Sequence, residues 1–310
     1  MAEYVFGVDV GGTTIKMGLF DMSGEVLEKW EIPTRTEDNG VNILPDIGEC
    51  VLKKMEQKGI AKEQVSGIGI GVPGPVDGKG VVHKCANLGW GEFNVNEKLS
   101  EITGLMVKAG NDANVAALGE MWKGGGRGYS SLVMVTLGTG VGGGVIIDGQ
   151  IMTGSVGAGG EIGHIHVQDG EAERCGCGNH GCLEQYASAT GVVRLANREL
   201  EDNTDETVLV KDQCSAKDVW DAVKAGDKVA VRVAEKFGKY LGEGLACIAS
   251  VLDPEAFVIG GGVSRAGDVL IGYIEKYYMP VVFHSGRNVK FVMATLGNDA
   301  GIYGAAKLVV

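Results

Sequence analysis

The stretch GVDVGGTTIKMG, residues 7–18, decides the fold of the first part of the chain. Apolar residues over 4–10 and 15–20 predict two strands, and the glycines and threonines between them predict a turn of hairpin length. Because glycine lets an anion approach the main chain, the N–H groups of such a turn can bind a phosphate, although many hairpin turns are purely structural. Lys16, on the second strand, is explained equally well as an edge-strand lysine or as a phosphate contact.

A second unit of the same kind lies at LGTGVGGGV, residues 137–145. Strands are predicted over 132–137 and 144–147 around this glycine-rich turn. The glycine spacing also matches the dinucleotide-binding fingerprint, but that fingerprint must open a helix, and the residues that follow have the pattern of a strand. A protein-kinase loop is excluded because the sequence lacks the HRD and DFG motifs. Two strand–turn–strand units in separate halves of the chain predict two similar lobes.

The rest of the chain alternates between strand and helix patterns. Further strands are predicted over 26–32, 65–72, 106–109 and 256–259, and helices over 41–58, 95–103, 112–122 and 298–308, with a mostly helical stretch over 185–250. Gly124–Gly126 breaks the pattern and is the first candidate boundary between lobes. This alternation predicts the α/β class.

The composition argues against nucleic acids and membranes as partners. The 310 residues include 28 Lys and Arg against 40 Asp and Glu, a net charge of −12, which repels phosphate backbones where no basic run compensates. The apolar stretches are only strand-sized, and no basic segment followed by a hydrophobic one precedes the first strand. We therefore expect a cytoplasmic protein. Of the seven cysteines, an odd number, three crowd together, which suits a metal site in a reducing compartment better than disulfides.

The crowded cysteines, Cys175, Cys177 and Cys182, have the spacing of a metal site. Three thiolates and one imidazole form a closed tetrahedral Zn²⁺ site of the structural kind. The glycines between the cysteines favour a loop folded round an ion over three small buried cysteines, because so much glycine adds little to core packing. The spacing leaves the fourth ligand open among three histidines: His164, His166 and His180.

Four acidic residues are candidates for a polar site. Asp9 lies in an apolar strand just before the first glycine turn, where a carboxylate needs a partner such as Mg²⁺. Asp112 begins a predicted helix, and the helix dipole or capping shared with Asn111 explains it without any ligand. Glu161 and Glu184 lie on either side of the metal loop. A metal that fixes the loop would hold both carboxylates ready to accept hydrogen bonds from hydroxyl groups, and the alternative is a solvated surface charge.

In this order the motifs resemble those of the ROK sugar kinases, a family within the actin- and hexokinase-like (ribonuclease H-like) ATPase fold, and among them the bacterial glucokinases are the most similar. The resemblance covers essentially the whole chain and is carried by four segments: GVDVGGTTIKMG (7–18), GVPGPVD (71–77), LGTGVGGGVIIDGQIMTGSVGAGGEIGHIHV (137–167) and CGCGNHGCLEQYAS (175–188). It implies an α/β fold of two lobes with a zinc-binding loop. The expected lobes are a small N-terminal one, residues 1–118 plus the C-terminal helix 298–310, and a large C-terminal one, residues 119–297, which holds the zinc loop 164–184.

The resemblance also implies a role for each matching residue, with Asp112 as the general base. The implied sugar contacts are Gly71, Asn111, Asp112, Glu161, His164 and Glu184. The implied contacts of the nucleotide and its Mg²⁺ are Asp9, Gly11, Gly12, Thr13, Thr14, Lys16, Gly138, Thr139, Gly140, Gly261 and Gly262. The implied zinc ligands are His164, Cys175, Cys177 and Cys182. The resemblance thus selects His164 over His166.

The implied activity is transfer of a phosphoryl group from ATP to the 6-hydroxyl of glucose, with Mg²⁺ bound to the ATP and Zn²⁺ in a structural site. The main alternative is a kinase of the same family for fructose, mannose, N-acetylglucosamine or N-acetylmannosamine. A sugar-sensing regulator is disfavoured, because the first predicted strand begins at Tyr4 and leaves no room for a helix-turn-helix ahead of it, and because the net charge is acidic. The family further suggests a homodimer or a homotetramer.

Overall fold

The computed structural model describes residues 2–310, which form two five-stranded sheets, a two-stranded sheet and ten helices. The strands are β1 (Tyr4–Val10), β2 (Thr14–Asp21), β3 (Val26–Pro33), β4 (Val65–Val72), β5 (Val81–Val82), β6 (Phe93–Asn94), β7 (Val107–Asn111), β8 (Leu132–Leu137), β9 (Val141–Ile147), β10 (Gln150–Ile151), β11 (Ala256–Gly260) and β12 (Lys290–Met293). The helices are α1 (Glu37–Gly40), α2 (Ile43–Lys58), α3 (Val95–Thr103), α4 (Asp112–Lys123), α5 (Glu184–Ala187), α6 (Ala189–Glu201), α7 (Ala216–Lys224), α8 (Lys228–Leu252), α9 (Asp268–Tyr278) and α10 (Ala300–Lys307).

The first sheet has the strand order β3-β2-β1-β4-β7. Strand β2 runs antiparallel to β1 and to β3, whereas β1, β4 and β7 run parallel to one another. The predicted hairpin is confirmed, and its register places Asp9 opposite Lys16. Strands β1 and β4 are buried along nearly their whole length, which is typical of central strands covered on both faces.

The second sheet has the strand order β10-β9-β8-β11-β12. Strand β11 runs parallel to β8 and to β12, and β10 runs antiparallel to β9. When the strands of each sheet are counted in chain order, both sheets have the order third, second, first, fourth, fifth. The predicted α/β class is confirmed, and the repeated strand order agrees with the predicted likeness of the two halves.

Strand β9 begins earlier than predicted, at Val141 instead of at 144. The predicted start was wrong because glycine has a low strand propensity, whereas here packing requires it. A Cβ at Gly144 would lie 2.6 Å from the Cβ of Ala117 on α4, so only glycine lets this strand come so close to the helix.

The chain divides into two compact units. The first comprises Met1–Ser130, Gly144–Gly160 and Thr295–Val310, and the second comprises Ser131–Gly143 and Glu161–Ala294. Residues 119–130, 144–160 and 295–297 thus fall in the first unit, whereas the expected lobes place them in the C-terminal one. Helix α4 runs unbroken past residue 118 and packs along α10, which keeps its second half in the first unit. The division into two functional lobes stays a prediction.

Helix α10 packs directly on the first sheet. A Cβ at Gly69 would lie 1.6 Å from the carbonyl oxygen of Ala305, and one at Gly7 would lie 2.1 Å from that of Ile302. The helix backbone therefore touches β1 and β4 at two glycines, where any side chain would push it away. The predicted terminal helix over 298–308 is a 3₁₀ turn, Gly297–Asp299, followed by α10.

Helix α9 and strand β12 lie in a part of the chain, residues 263–297, where the sequence patterns predict no element. Helix α9 buries only one residue per turn, Leu270, Ile274 and Tyr278, and it begins after Gly267 without a side-chain cap. A helix with so narrow an apolar stripe and no capping residue has a weak sequence signal. Strand β12 has only four residues, at the edge of the second sheet.

Helix α8 is the longest helix, with 25 residues, and packs against α6, α7 and α9. Its contact with α9 depends on two glycines, since a Cβ at Gly238 or at Gly242 would lie 2.6 Å from a backbone oxygen of that helix. Within residues 2–310, no helix combines the length and the apolar character that a bilayer span needs.

Candidate active site

The carboxyl ends of β1, β4 and β7 bring four predicted site residues together in the first unit. Asp9 pairs with Gly71 across β1 and β4. Gly71 then pairs across β4 and β7 with Gly110, which is followed by Asn111 and Asp112. Ligands of α/β proteins usually bind where parallel strands end, which makes this edge of the first sheet a candidate site.

Asn111 and Asp112 form the start of α4. Asn111 is the N-cap, and its Oδ1 accepts the backbone N–H of Asn114 at 3.1 Å. Its Nδ2 donates to the carbonyl of Gly74 at 3.1 Å and to Asp112 Oδ1 at 3.0 Å. The backbone N–H of Ala113 donates to the same Asp112 oxygen at 2.8 Å. Asn111 therefore provides the cap, and two donors orient the carboxylate of Asp112 and stabilise its charge.

Asn114 is a buried side chain to which the sequence patterns assign no role in the site. It is 2% exposed, and its Nδ2 donates to the carbonyl of Gly159 at 3.3 Å. Its Oδ1 accepts the backbone N–H of Val145 at 3.4 Å. Asn114 thus joins the first turn of α4 to β9 and to the segment that leads to Glu161. Its only sequence signal is an amide three residues after the N-cap, which is too common to predict this role.

Asp9 lies in a mostly apolar environment beneath α10. A Cβ at Gly301 would lie 2.5 Å from Asp9 Cγ, so the helix backbone covers the carboxylate directly. Burial, the negative charge of Asp112 and, in the opposite sense, the positive charge of Lys16 bring the pKa of Asp9 to about 6, above its ordinary 3.8. Lys16 Nζ donates to the carbonyl of Asn298 at 3.0 Å. The two aspartates are close enough to repel each other, and a divalent cation would relieve that repulsion.

The first glycine turn is closed by the N–H of Gly11, which donates to the carbonyl of Thr14 at 3.0 Å. Thr34 binds the turn from its other side. Its Oγ1 donates to the carbonyl of Gly11 at 2.7 Å, and its N–H donates to the carbonyl of Thr13 at 2.9 Å. Gly12 and Thr13, at the tip, are exposed. The turn is thus held through its carbonyl groups, and its tip is accessible to a ligand.

The second glycine turn, in the second unit, is held in a similar way. The N–H of Gly138 donates to the carbonyl of Gly140 at 3.0 Å. The start of α6 binds the other carbonyls: the N–H of Ala189 donates to Gly138 at 2.8 Å, and Thr190 Oγ1 donates to Thr139 at 3.0 Å. Neighbouring residues therefore bind the carbonyl groups of both turns.

Gly261 and Gly262 follow β11, the parallel neighbour of β8. Gly261 has a φ of +85°, and a Cβ there would lie 2.5 Å from the carbonyl oxygen of Leu137, so only glycine fits against the end of β8. A Cβ at Gly262 would meet nothing within 4 Å. Within the second unit, the predicted adenosine-side glycines therefore lie beside the predicted phosphate turn at Gly138.

Glu184 contacts both the second glycine turn and the cysteine loop. Its Oε2 accepts the N–H of Val141 at 3.1 Å, and its Oε1 accepts a hydrogen bond from Cys175 Sγ at 3.5 Å. A Cβ at Gly140 would lie 2.0 Å from Glu184 Oε2, so the carboxylate fits closely against the turn. The alternative of a solvated surface charge is therefore wrong for Glu184.

The predicted metal ligands form a cluster: the ligand atoms of His164, Cys175, Cys177 and Cys182 all lie within 4.8 Å of one another. The Sγ atoms of Cys177 and Cys182 are 3.6 Å apart, and His164 Nδ1 is 3.7 Å from Cys175 Sγ. Ligands placed tetrahedrally at zinc-ligand distances are about 3.5–3.8 Å apart, so these spacings fit Zn²⁺. Burial and the neighbouring thiols raise the pKa of Cys182 to about 12. A bound cation reverses that effect, because it stabilises the thiolate.

The cluster includes His164, not His166. His166 is exposed, with Nδ1 bound to the carbonyl of His180 at 3.0 Å and Nε2 to Asp169 Oδ1 at 2.9 Å. His164 turns Nδ1 toward Cys175, whereas its Nε2 lies 3.8 Å from Glu161 Oε2. One ring can therefore face the cysteines on one side and a polar ligand beside Glu161 on the other.

The predicted site residues fall into two groups, one in each unit. The first unit holds Asp9, Gly11, Gly12, Thr13, Thr14, Lys16, Gly71, Asn111 and Asp112. The second unit holds Gly138, Thr139, Gly140, Glu161, His164, Cys175, Cys177, Cys182, Glu184, Gly261 and Gly262. Each unit thus combines a glycine turn with carboxylates.

Known proteins are similar to this chain over nearly its whole length. The ROK family pattern matches residues 5–310. The glucokinase of Halalkalibacterium halodurans is 44% identical over 317 residues, which cover 99% of this chain and 95% of that protein. A ROK family glucokinase from Streptomyces griseus, solved in complex with glucose and AMPPNP, has a TM-score of 0.74 and 35% identity over 98% of both chains.

The ROK hexokinase from Thermus thermophilus is similar over 98% of this chain and 96% of its own, with a TM-score of 0.78 and 32% identity. The predicted hexokinase-like fold is therefore confirmed. With a family pattern that spans nearly the whole chain and a relative of 44% identity, the chain belongs to the ROK family.

Proposed function

We propose that this chain is a glucokinase, which transfers the γ-phosphoryl group of ATP to the 6-hydroxyl of glucose. The relatives from H. halodurans and S. griseus are glucokinases, and the second of these was solved with glucose and an ATP analogue. The observation that carries the proposal is the position of Asp112, an oriented carboxylate at the carboxyl end of β7, beside Gly71 and within electrostatic reach of Asp9.

In this proposal Asp112 acts as the general base. It accepts the proton of the 6-hydroxyl while the hydroxyl oxygen attacks the γ-phosphorus in line with the leaving ADP oxygen. Asn111 Nδ2 and the N–H of Ala113 hold the carboxylate in one orientation. Catalysis then rests mainly on positioning, because phosphoryl transfer needs little covalent chemistry from the protein.

We propose that the other hydroxyl groups of the sugar bind Asn111, Glu161, His164 and Glu184, with the backbone of Gly71 beside them. Carboxylate, amide and imidazole groups recognise hydroxyls individually. A sugar that lacks one hydroxyl, or presents it on the other face, would leave a desolvated acceptor without a donor, which penalises its transition state. This arrangement favours one hexose over its epimers and N-acetyl derivatives.

We propose that both glycine turns bind ATP phosphates through backbone N–H groups: the first with Gly11, Gly12, Thr13 and Thr14, and the second with Gly138, Thr139 and Gly140. Lys16 would add a positive charge, and Gly261 and Gly262 would lie along the adenosine. Asp9 is the residue suited to hold Mg²⁺, because its carboxylate sits in an apolar environment next to a second carboxylate. When bound, Mg²⁺ neutralises charge on the phosphates.

We propose that His164, Cys175, Cys177 and Cys182 hold a structural Zn²⁺. All four positions of a tetrahedral ion are then filled by protein, which leaves none for catalysis. The ion would hold Glu161, His164 and Glu184 in place, since His164 is a ligand, Glu161 lies beside His164, and Glu184 follows the ligand Cys182 by two residues. We further expect a cytoplasmic homodimer or homotetramer, and the net charge of −12 argues against nucleic-acid partners.

Replacing Asp112 with Asn tests the assignment of the base. Asparagine keeps the size and the hydrogen bonds to Asn111 and Ala113 but cannot accept the proton, so kcat should fall roughly 10²- to 10⁴-fold. The measurement is ATP-dependent formation of glucose 6-phosphate by the purified variant, together with glucose and ATP affinities by calorimetry. The matched control is Asp268→Asn, an exposed aspartate at the first position of α9, which should leave kcat unchanged. A near-normal kcat in the Asp112 variant would remove this residue from the mechanism.

A further inference from the structure

Glu171 lies in the segment that connects two of the proposed zinc ligands, His164 and Cys175. Its side chain is only 3% exposed, although it belongs to a polar loop. Glu173, two residues further on, is 62% exposed. A carboxylate that turns inward from a surface loop needs partners, because its desolvation is otherwise costly.

The partners of Glu171 are two guanidinium groups and a phenol. Arg198 binds it bidentately, at 3.0 and 3.2 Å, and Arg194 Nη2 lies 2.7 Å from its Oε1. The hydroxyl of Tyr186 donates to its Oε2. Tyr186 is itself buried and stacked on Tyr240, with ring centroids 4.1 Å apart. Oε2 of Glu171 therefore accepts hydrogen bonds from Arg198 and Tyr186, whereas Oε1 contacts both guanidinium groups.

These three partners of Glu171 all follow the last proposed zinc ligand, Cys182. Tyr186 is on α5, and Arg194 and Arg198 are on α6. Glu171 therefore joins the entry segment of the metal loop to the helices that follow its exit.

Two further contacts hold the same segment. Gln185 Nε2 donates to the carbonyl of Glu173 at 3.0 Å, and its Oε1 accepts the N–H of Cys182 at 3.1 Å. The hydroxyl of Tyr240 donates to Gln168 Oε1 at 2.8 Å. Residues 168–173 are thus attached at both ends and at Glu171 in the middle.

Glu171 keeps its negative charge across the working pH range. Burial alone would raise its pKa, but hydrogen bonds from Arg198 and Tyr186 and the charge of Arg194 outweigh this effect and bring the pKa of Glu171 to about 2. The contacts of the Glu171 carboxylate with Arg194, Arg198 and Tyr186 therefore do not depend on pH near neutrality.

We propose that Glu171 is a positioning residue for the metal cluster: its hydrogen bonds with Tyr186 and Arg198 and its ion pair with Arg194 hold residues 168–174 in the conformation that presents Cys175 to the ion. The inference builds on the zinc site proposed above, and it adds that the loop is ordered before the ion binds. A ligand that is already positioned binds its metal more tightly, because less chain entropy is lost on binding.

The test compares Glu171→Gln with Glu173→Gln in the full-length protein. Zinc affinity is measured by competition with a chromogenic chelator, and amide hydrogen exchange of residues 168–176 is measured after zinc has been removed. Glu171→Gln should weaken zinc binding about 10- to 100-fold, the range found when residues that orient metal ligands are changed, and should speed exchange in this segment. Glu173→Gln, on the same loop but exposed, should change zinc affinity less than about threefold.

A second variant, Tyr186→Phe, keeps the ring and its stacking but removes one donor to Glu171. It should shift both readouts in the same direction by a smaller factor. If zinc affinity and amide hydrogen exchange are unchanged in Glu171→Gln, the proposal is overturned, even if the Tm is lower. The contacts of Glu171 with the two arginines and Tyr186 would then stabilise only the helices. If the wild-type protein bound no zinc, the zinc site would fail, and hydrogen exchange would still decide whether Glu171 orders the segment.

Discussion

Asp9, Glu120 and Glu171 carry the same chemical group in three different environments. Asp9 is predicted from the sequence as a site residue because it interrupts an apolar strand. Glu120 and Glu171 give no such signal, because their partners are distant in the sequence. Glu120 is fully buried and accepts backbone N–H groups of Gly125, Thr295 and Leu296, two of them about 175 residues away. The burial of Asp9 could thus be predicted because the apolar residues beside it in the strand are buried with it, whereas the fold alone brings most partners of Glu120 and Glu171 to their carboxylates.

The environment of Asp9 predicts that this residue destabilises the ligand-free protein near neutral pH. The folded protein retains the Asp9 proton up to about pH 6, whereas the unfolded chain releases it near 3.8. The contribution of Asp9 to stability is therefore full below about pH 4 and falls as the pH rises through 6, by about 2–3 kcal/mol in total. Asp9→Asn has no carboxylate to ionise. Its free energy of unfolding relative to wild type should therefore rise by about 2–3 kcal/mol between pH 4 and pH 8.

Urea unfolding at a series of pH values measures this difference. Asp268→Asn, at an exposed position, is the control and should track wild type throughout. A difference between Asp9→Asn and wild type that stays flat from pH 4 to pH 8 would show that Asp9 is not held in an apolar environment.

At the scale of elements, local patterns predict strands and helices well where the apolar period is strong. Strand β4 and helix α3 have the predicted bounds, because each is a continuous or periodic apolar stretch between clear breaks. The start of β9 and the whole of α9 are predicted wrongly or not at all. In both cases packing against another element determines the structure, and glycines or a narrow apolar stripe weaken the local signal.

The close packing of α10 on α4 predicts the effect of a single methyl group. A Cβ at Gly304 would lie 1.7 Å from the carbonyl oxygen of Val115, so Gly304→Ala must push two helix backbones apart. We expect a loss of at least about 2 kcal/mol in the free energy of unfolding. Gly272→Ala, in α9 with nothing within 4 Å of the new Cβ, is the matched control and should be neutral or stabilise by up to about 1 kcal/mol. Equal stability of the two variants in denaturant titrations would contradict this packing.

At the scale of the whole molecule, the two glycine turns predict that the two halves of the chain are alike, and the repeated strand order of the two sheets agrees with this prediction. The bounds of the units could not be predicted in the same way, because the chain passes between the units after residues 130, 143, 160 and 294. Those positions are determined by contacts such as that of α4 with α10, which join distant parts of the sequence. Likewise, the spacing of the cysteines predicts the metal cluster but leaves the histidine open among His164, His166 and His180. In the fold His164 joins the cluster, whereas His166 binds the carbonyl of His180 and Asp169.

The proposed zinc site predicts that stability depends on the metal. Removal of zinc with a strong chelator should lower the Tm by roughly 5–10 °C, since folding and metal binding are coupled at such sites. Without chelator, Cys177→Ser should have a Tm similar to that of the chelator-treated wild-type protein, and adding the chelator should change it little. Cys247→Ser, an exposed cysteine outside the cluster, should behave as wild type. Metal analysis of the purified protein should find one zinc per chain, and a chelator-insensitive Tm would argue against the site.

The most direct test of the central claim is the release of ADP by the purified protein with ATP and Mg²⁺, measured against glucose, fructose, mannose, N-acetylglucosamine and N-acetylmannosamine. Glucose should give the highest kcat/KM, and the product should be glucose 6-phosphate. If turnover is highest with another of these sugars, the protein is still a sugar kinase, but the assignment of glucose as its substrate is contradicted. If the protein binds a sugar but releases ADP with none of the five, the proposal that it is a kinase is contradicted.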